Sequence, residues 1–271
     1  MKMFRNVLLP MLLVVTPLLA AQAHTLRVLV TRPVSVKGFK STVYLSYGHL
    51  LPVDELIPGN EVGAYLIHAP DGSTKPLETS GTSLHANEVS FDQPGLYQLA
   101  VTRLPITYVA YTDASGAARF ARLPKDQFKL PEGAKLTASA RSYQFSKAVV
   151  LNDLTESKAT PALGHALEIV VEGKPTKDGY SADESVRARV LFKGKPLAGV
   201  KLSAASTSRN PDGIPEVAGE TDSEGRVALD LPEPGTWVLD VLHLIESSPD
   251  VRASYDNERF VATMAIPVAD K

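Results

Sequence analysis

Long amphipathic helical runs are absent from this chain, which leaves strands as its building material. Short β-like runs recur at 26–31, 42–47, 62–68, 88–91, 97–103, 106–111 and 136–151. They resume at 166–171, 185–192, 199–204, 226–230, 236–244 and 259–268. Pro70-Asp71-Gly72, Gln93-Pro94-Gly95 and Asp113-Ala114-Ser115-Gly116 punctuate them, supplying the positive or fixed φ values that tight turns need. The 136–151 run is long enough to bend. Residues 123–135 carry two prolines and a glycine and read as a loop with at most one helical turn. The pattern predicts an all-β protein of two tandem Ig-like or transthyretin-like β-sandwiches, at 24–151 and 164–271. The polar stretch 152–163 is the expected exposed linker between them.

A weak internal repeat supports two similar halves. Residues 24–30 read HTLRVLV and 165–171 read HALEIVV. Residues 91–101 read FDQPGLYQLAV and 231–241 read LPEPGTWVLDV. Both pairs are offset by about 140 residues, in the same order. Trp237, Leu239 and Val241 alternate on one side of a strand and face a core. Tyr97, Leu99 and Val101 do so in the other copy, with Arg103 where the second copy has His243.

Residues 1–23 begin with Lys2 and Arg5, continue with an apolar run, and end in Ala21-Gln22-Ala23. This is the pattern of a secretory signal peptide cleaved after Ala23. Pro10 and Pro17 break the run, which is too short for a good membrane span, and no second run approaches one. The mature chain is thus expected to be periplasmic, soluble and without a membrane span. With 28 basic and 30 acidic residues well mixed, nothing suggests nucleic-acid binding. The chain has no cysteine, which excludes disulfides, thiolate metal sites and cysteine nucleophiles. No G-x-S-x-G, H-E-x-x-H, phosphate loop or dinucleotide fingerprint is present, so no enzyme is expected. Paired acids such as Asp54-Glu55 and Asp183-Glu184 read as solvated.

Cleavage after Ala23 would make His24 the first residue. A free α-amine has a pKa of about 8, so it can lose its proton to a metal near neutral pH. Amine and imidazole of one residue can then chelate one ion, and nitrogen ligands suit Ni(II), Co(II) and Cu(II). Of the other histidines, His49 follows Gly48 where a strand gives way to a loop, and His243 ends a strand on its core-facing side. His165 can serve as a ligand or simply mark a strand start as the repeat copy of His24. His68, before a turn, and His85, in a polar loop, read as surface residues.

Further motifs carry a family resemblance. They are Gly48-His49 with Pro52, YQFSKAV at 143–149, GHALE at 164–168 and KGKPLAGV at 193–200. TDSEGRV at 221–227, PGTW at 234–237, Val241-Leu242-His243 and ERFVATMAI at 258–266 complete the set. In this order, behind an N-terminal His, they resemble a periplasmic family of unknown function associated with nickel uptake (NikM-like or NikK-like proteins). The resemblance implies a non-enzymatic accessory that binds nickel or cobalt, copper being a further candidate, and serves inner-membrane metal transporter components. It implies His24, His49 and His243 as metal ligands. Asp256 and Glu258 become candidates for orienting an imidazole, Tyr143 for closing the site, and His165 for a supporting role. Arg27 stands where family members carry an aromatic, which bears on the wall of any N-terminal site. Two rival readings remain: a non-catalytic envelope adaptor that binds carbohydrate or protein, and copper redox chemistry at the N-terminal His. The latter needs a flat aromatic surface for which 7% aromatics leaves little.

Overall fold

The computed structural model describes residues 24–156, 159–210 and 212–270; the expected signal peptide lies outside them. The chain is all-β, and its two sandwiches share a wall. That wall is an eleven-stranded sheet. Its main path runs Val217–Glu220, Lys201–Ser206, Gly235–Glu246, Asn257–Ala269, Lys135–Asn152, Gly95–Thr112, Val62–His68 and Thr74–Pro76. The halves meet where Lys135–Asn152 pairs in parallel with Asn257–Ala269. A three-stranded sheet of Thr25–Val30, Lys40–Gly48 and Asn87–Ser90 packs on one face. A four-stranded sheet built on Leu167–Val171 and Val186–Phe192 packs on the other.

Side chains alternate along a strand, so a strand in the shared wall feeds both cores. Ala148 and Val150 enter the first core, Val149 and Leu151 the second. Val238 belongs to the first, whereas Trp237, Leu239 and Val241 belong to the second. Burial on both faces explains the run at the end of the chain, apolar but for Thr263; residues 260–268 are all buried.

The 97–103 and 106–111 runs prove to be one strand, Gly95–Thr112. Pro105 does not break it, because the register slips by one residue between Ser142 and Gln144 on the partner strand. A bulge is a place where a missing ladder N–H is tolerated. The same slip and a second at Leu136/Ala138 bend the long Lys135–Asn152 strand. In the 123–135 loop a single turn forms, at Lys125–Gln127. In the 152–163 stretch Thr160 is buried and hydrogen-bonded to Val171, and the Pro161 carbonyl accepts from Gln98 Nε2 at 2.9 Å.

Thr25–Val30 lies at the edge of its sheet, and its second edge is covered by side chains of the wall. Gln144 and Ser146 accept the N–H groups of Leu26 and Val28, and Thr263 Oγ1 donates to the Leu26 carbonyl at 2.9 Å. An exposed edge would invite further strands; here it is tied down, which holds His24 in place.

Candidate functional site

The antiparallel register sets Thr25 opposite Gly48. One step further on each strand come His24 and His49, and their ring centroids lie 4.6 Å apart. The ring of Tyr47 stacks on His24 at 5.3 Å. Behind Tyr47 lies the buried Arg103, its guanidinium 4.4 Å from the ring centroid and its Nη1 donating to the phenol oxygen at 2.5 Å. Arg103 is itself ion-paired with Glu61, which also pairs with Arg122. Tyr47 is therefore the fixed aromatic wall, and it comes from the neighbouring strand.

The 48–54 loop is held by its own chemistry. Gly48 has φ +120°, and a Cβ there would lie 2.3 Å from Asp54 Oδ2. The absence of a side chain lets that oxygen accept the N–H groups of His49 and Leu50 at 2.6 and 3.0 Å. These bonds, that from Leu50 first, hold the Asp54 carboxyl below the usual range. From below, Arg27 donates to the Gly48 carbonyl at 3.2 Å. Burial, and then the neighbouring His24, push the His49 imidazole below its ordinary pKa. The Glu55 N–H donates to the Tyr47 carbonyl at 2.8 Å, which places its Oε1 2.9 Å from His24 Nε2.

The other expected residues go elsewhere. His243 alternates with Trp237, Leu239 and Val241 and so faces the second core, on the side of the wall opposite His24 and His49. There it meets Phe192 edge-on at 4.7 Å. Phe192 contacts Phe260, Phe260 stacks on Tyr143 at 4.7 Å, and Tyr143 donates to Glu258 at 3.1 Å. Tyr143 and Glu258 thus accompany His243 and stand apart from His24. Asp256 binds Lys125 and Ser139 and fastens the 125–127 turn. His165 packs on Phe145, and burial pushes its pKa down to about 4. His85, expected at the surface, is buried: Nε2 meets the Ile57 carbonyl at 2.8 Å, and Nδ1 accepts from the Ser80 N–H at 3.2 Å. Its loop needed an internal partner for those backbone groups. His68, also expected at the surface, is only partly exposed.

Among the described residues no three His, Cys, Asp or Glu side chains stand close enough to hold a metal by themselves. The donor set nevertheless fits one once the α-amine of His24 is counted. Glu55 engages Nε2, Nδ1 has no partner among the described residues, and Nδ1 is the ring nitrogen that closes a chelate with the amine through Cα, Cβ and Cγ. A carboxylate on the outer nitrogen is the usual support of a ligating imidazole. Sequence reasoning set Glu55 aside as one of a solvated pair. The available signal is that Glu55 and Tyr47 flank the His49 loop, and in the structure they pair across it.

A family profile described as a domain of unknown function (DUF4198) matches residues 21–245. No curated protein matches. Among solved structures, the D0-D1 domain of intimin is 12% identical, covers 89% of this chain and 96% of its own, and superposes with a TM-score of 0.17. Murine CEACAM1b is 11% identical, covers 92% and 100%, and has a TM-score of 0.20. No helix among the described residues is long and apolar enough to cross a membrane.

Proposed function

We propose that this chain, which belongs to the DUF4198 family, is an exported periplasmic protein that binds a divalent transition metal and does not catalyse. The metal, nickel or cobalt before copper, would be held by the amine and Nδ1 of His24 after cleavage behind Ala23, with the His49 imidazole as third donor. It would be handed to an inner-membrane transporter. The observation that carries this reading is the placement of Glu55 on His24 Nε2 at 2.9 Å with His49 alongside. The lowered pKa of His49 keeps it neutral, the state that binds metal. His243 is left out of the ligand set, since it lies across the wall.

The test is a calorimetric titration of protein beginning at His24 with Ni(II), Co(II), Cu(II) and Zn(II). The control carries one extra residue ahead of His24, which converts the amine to an amide and leaves the fold alone. Tight binding that vanishes in the control supports the site, and the order of metals separates nickel handling from copper chemistry. Binding indifferent to the extension overturns the reading.

A further inference from the structure

Beside the His49 loop, on the face of the wall that bears the first core, is a cavity of about 150 Å³. Its floor is the wall itself, with Ser203, Val238 and Asp240, and its rim includes Thr25, His49 and Arg259. A third side is closed by the loop at Gly213, where a Cβ would lie 2.2 Å from the His49 carbonyl oxygen.

Charges of both signs face this cavity without closing on each other. Burial pushes the Asp240 carboxyl up, and Arg27 and then Arg259 pull it back through space. Among the described residues, however, no ion pair within 4 Å and no side-chain hydrogen bond engages the Asp240 carboxylate. The register explains the gap. Arg259 pairs with Leu244 across the strands, four residues beyond Asp240, or about 13 Å along a strand. Arg27 is committed to the carbonyls of the 48–50 loop. Among the described residues the only side-chain hydrogen bond from Arg259 is a long one of 3.4 Å to Ser142. An acid and a guanidinium held apart in a partly buried hollow are costly unless something polar lies between them.

We propose that this cavity binds a small zwitterionic α-amino acid, its carboxylate on Arg259 and its ammonium on Asp240. A zwitterion meets both charges at once, which neither an anion nor a cation does. The volume sets the size. An engineered cavity of about 150 Å³ takes benzene, which has as many heavy atoms as alanine. Val238 and Ala205 leave an apolar corner suited to a short side chain.

The cavity shares His49 on its rim with the proposed metal site but does not require the metal, so it is tested on metal-free protein, treated with chelator, beginning at His24. L-alanine, propionate and ethylamine are titrated while backbone amide NMR shifts are followed. The expected result is saturable movement of the Thr25, Ser203 and Gly213 amides with alanine. Propionate and ethylamine, each with half of the recognised groups, should bind at least tenfold more weakly. Asp240→Asn and Arg259→Gln should each lower alanine affinity at least tenfold with the melting curve retained. If a variant does not fold, the comparison of alanine with its two half-molecules on the unaltered protein still decides. Shifts that do not respond to alanine would mean that the cavity holds water alone. Propionate matching alanine would remove Asp240 from recognition. Either result overturns the proposal.

Discussion

His24 Nε2 and Glu55 Oε1 stand 2.9 Å apart, and this contact decides which imidazole nitrogen of His24 is free. The pair is partly exposed, at 30% and 50%, so it contributes little to stability. Its consequence is orientation: with Nε2 engaged by Glu55, Nδ1 is the ring nitrogen left for a metal.

Glu55→Gln should therefore leave the melting temperature almost unchanged and weaken metal binding. Loss of such an outer partner typically costs about tenfold to a hundredfold in affinity. Calorimetry with Ni(II) on both proteins, beside a thermal melt, checks both halves. A large fall in melting temperature with unchanged affinity would show that Glu55 is a structural residue.

His49 and His243 should behave differently. His49→Ala removes a ring 4.6 Å from His24 and should lower metal affinity at least tenfold. His243→Ala works on the far face of the wall, where Phe192 and Phe260 pack. It should leave metal affinity unchanged and cost a modest amount of stability. Equal loss of binding in the two variants would contradict the division of the histidines by the shared sheet.

The strand alphabet was legible in the sequence because turn residues bracket nearly every run. The repeat was legible too, and the structure shows what it encodes. Tyr97 OH accepts the Gln93 N–H at 2.9 Å, and Trp237 Nε1 donates to the Glu233 carbonyl at 2.9 Å. Each aromatic satisfies its polar atom on the backbone four residues earlier, across a Pro-Gly turn whose glycine has φ +136° or +133°. What the repeat could not reveal is that the two copies face opposite sides of one sheet. Alternation assigns a residue to a side of its own strand. Only the pairing of Lys135–Asn152 with Asn257–Ala269 relates the two strands' sides, and no local signal marks a parallel pair so distant in sequence. For that reason His24 with His49 was expected, while the separation of His243 was not.

Trp237 and Tyr97 give a prediction on that matched pair. Trp237 is fully buried in the second core, and Trp237→Ala should cost about 3–5 kcal/mol. Tyr97→Phe keeps the ring and loses only its bonds to Gln93, for about 1 kcal/mol. Chemical denaturation of both variants checks the ranking, and comparable losses would mean that the hydroxyl anchors the turn more firmly than the indole fills its core.

Lys147 and Glu168 form an ion pair at 2.7 Å with side chains 2% and 1% exposed. Glu168 also accepts the N–H groups of Leu163 and Gly164 at 2.6 and 2.9 Å, so it ties the 163–164 stretch to the wall. Lys147→Met leaves a buried carboxylate without its cation and should cost about 3–5 kcal/mol. Adding Glu168→Gln should restore part of this loss, because a neutral amide is cheaper to bury than an unpaired charge. A double-mutant cycle by denaturation measures the coupling, and strict additivity would show that the two residues act independently.

Beside this pair, His165 makes the fold sensitive to acid. Burial lowers its pKa to about 4 in the folded protein, whereas in the unfolded chain it is about 6.5. Between those values the unfolded chain binds the proton and the folded one does not, so stability rises with pH across the window. The contribution of His165 is complete above about pH 6.5, declines as the pH falls, and is gone below about pH 4. His49, His68 and His243 are shifted in the same direction and add to the slope. His165→Asn should therefore flatten the dependence of unfolding free energy on pH between 4 and 6.5 without abolishing it. Denaturation curves at several pH values in that range measure the slope directly. An unchanged slope would show that His165 gains and loses its proton alike in both states, as an exposed imidazole does.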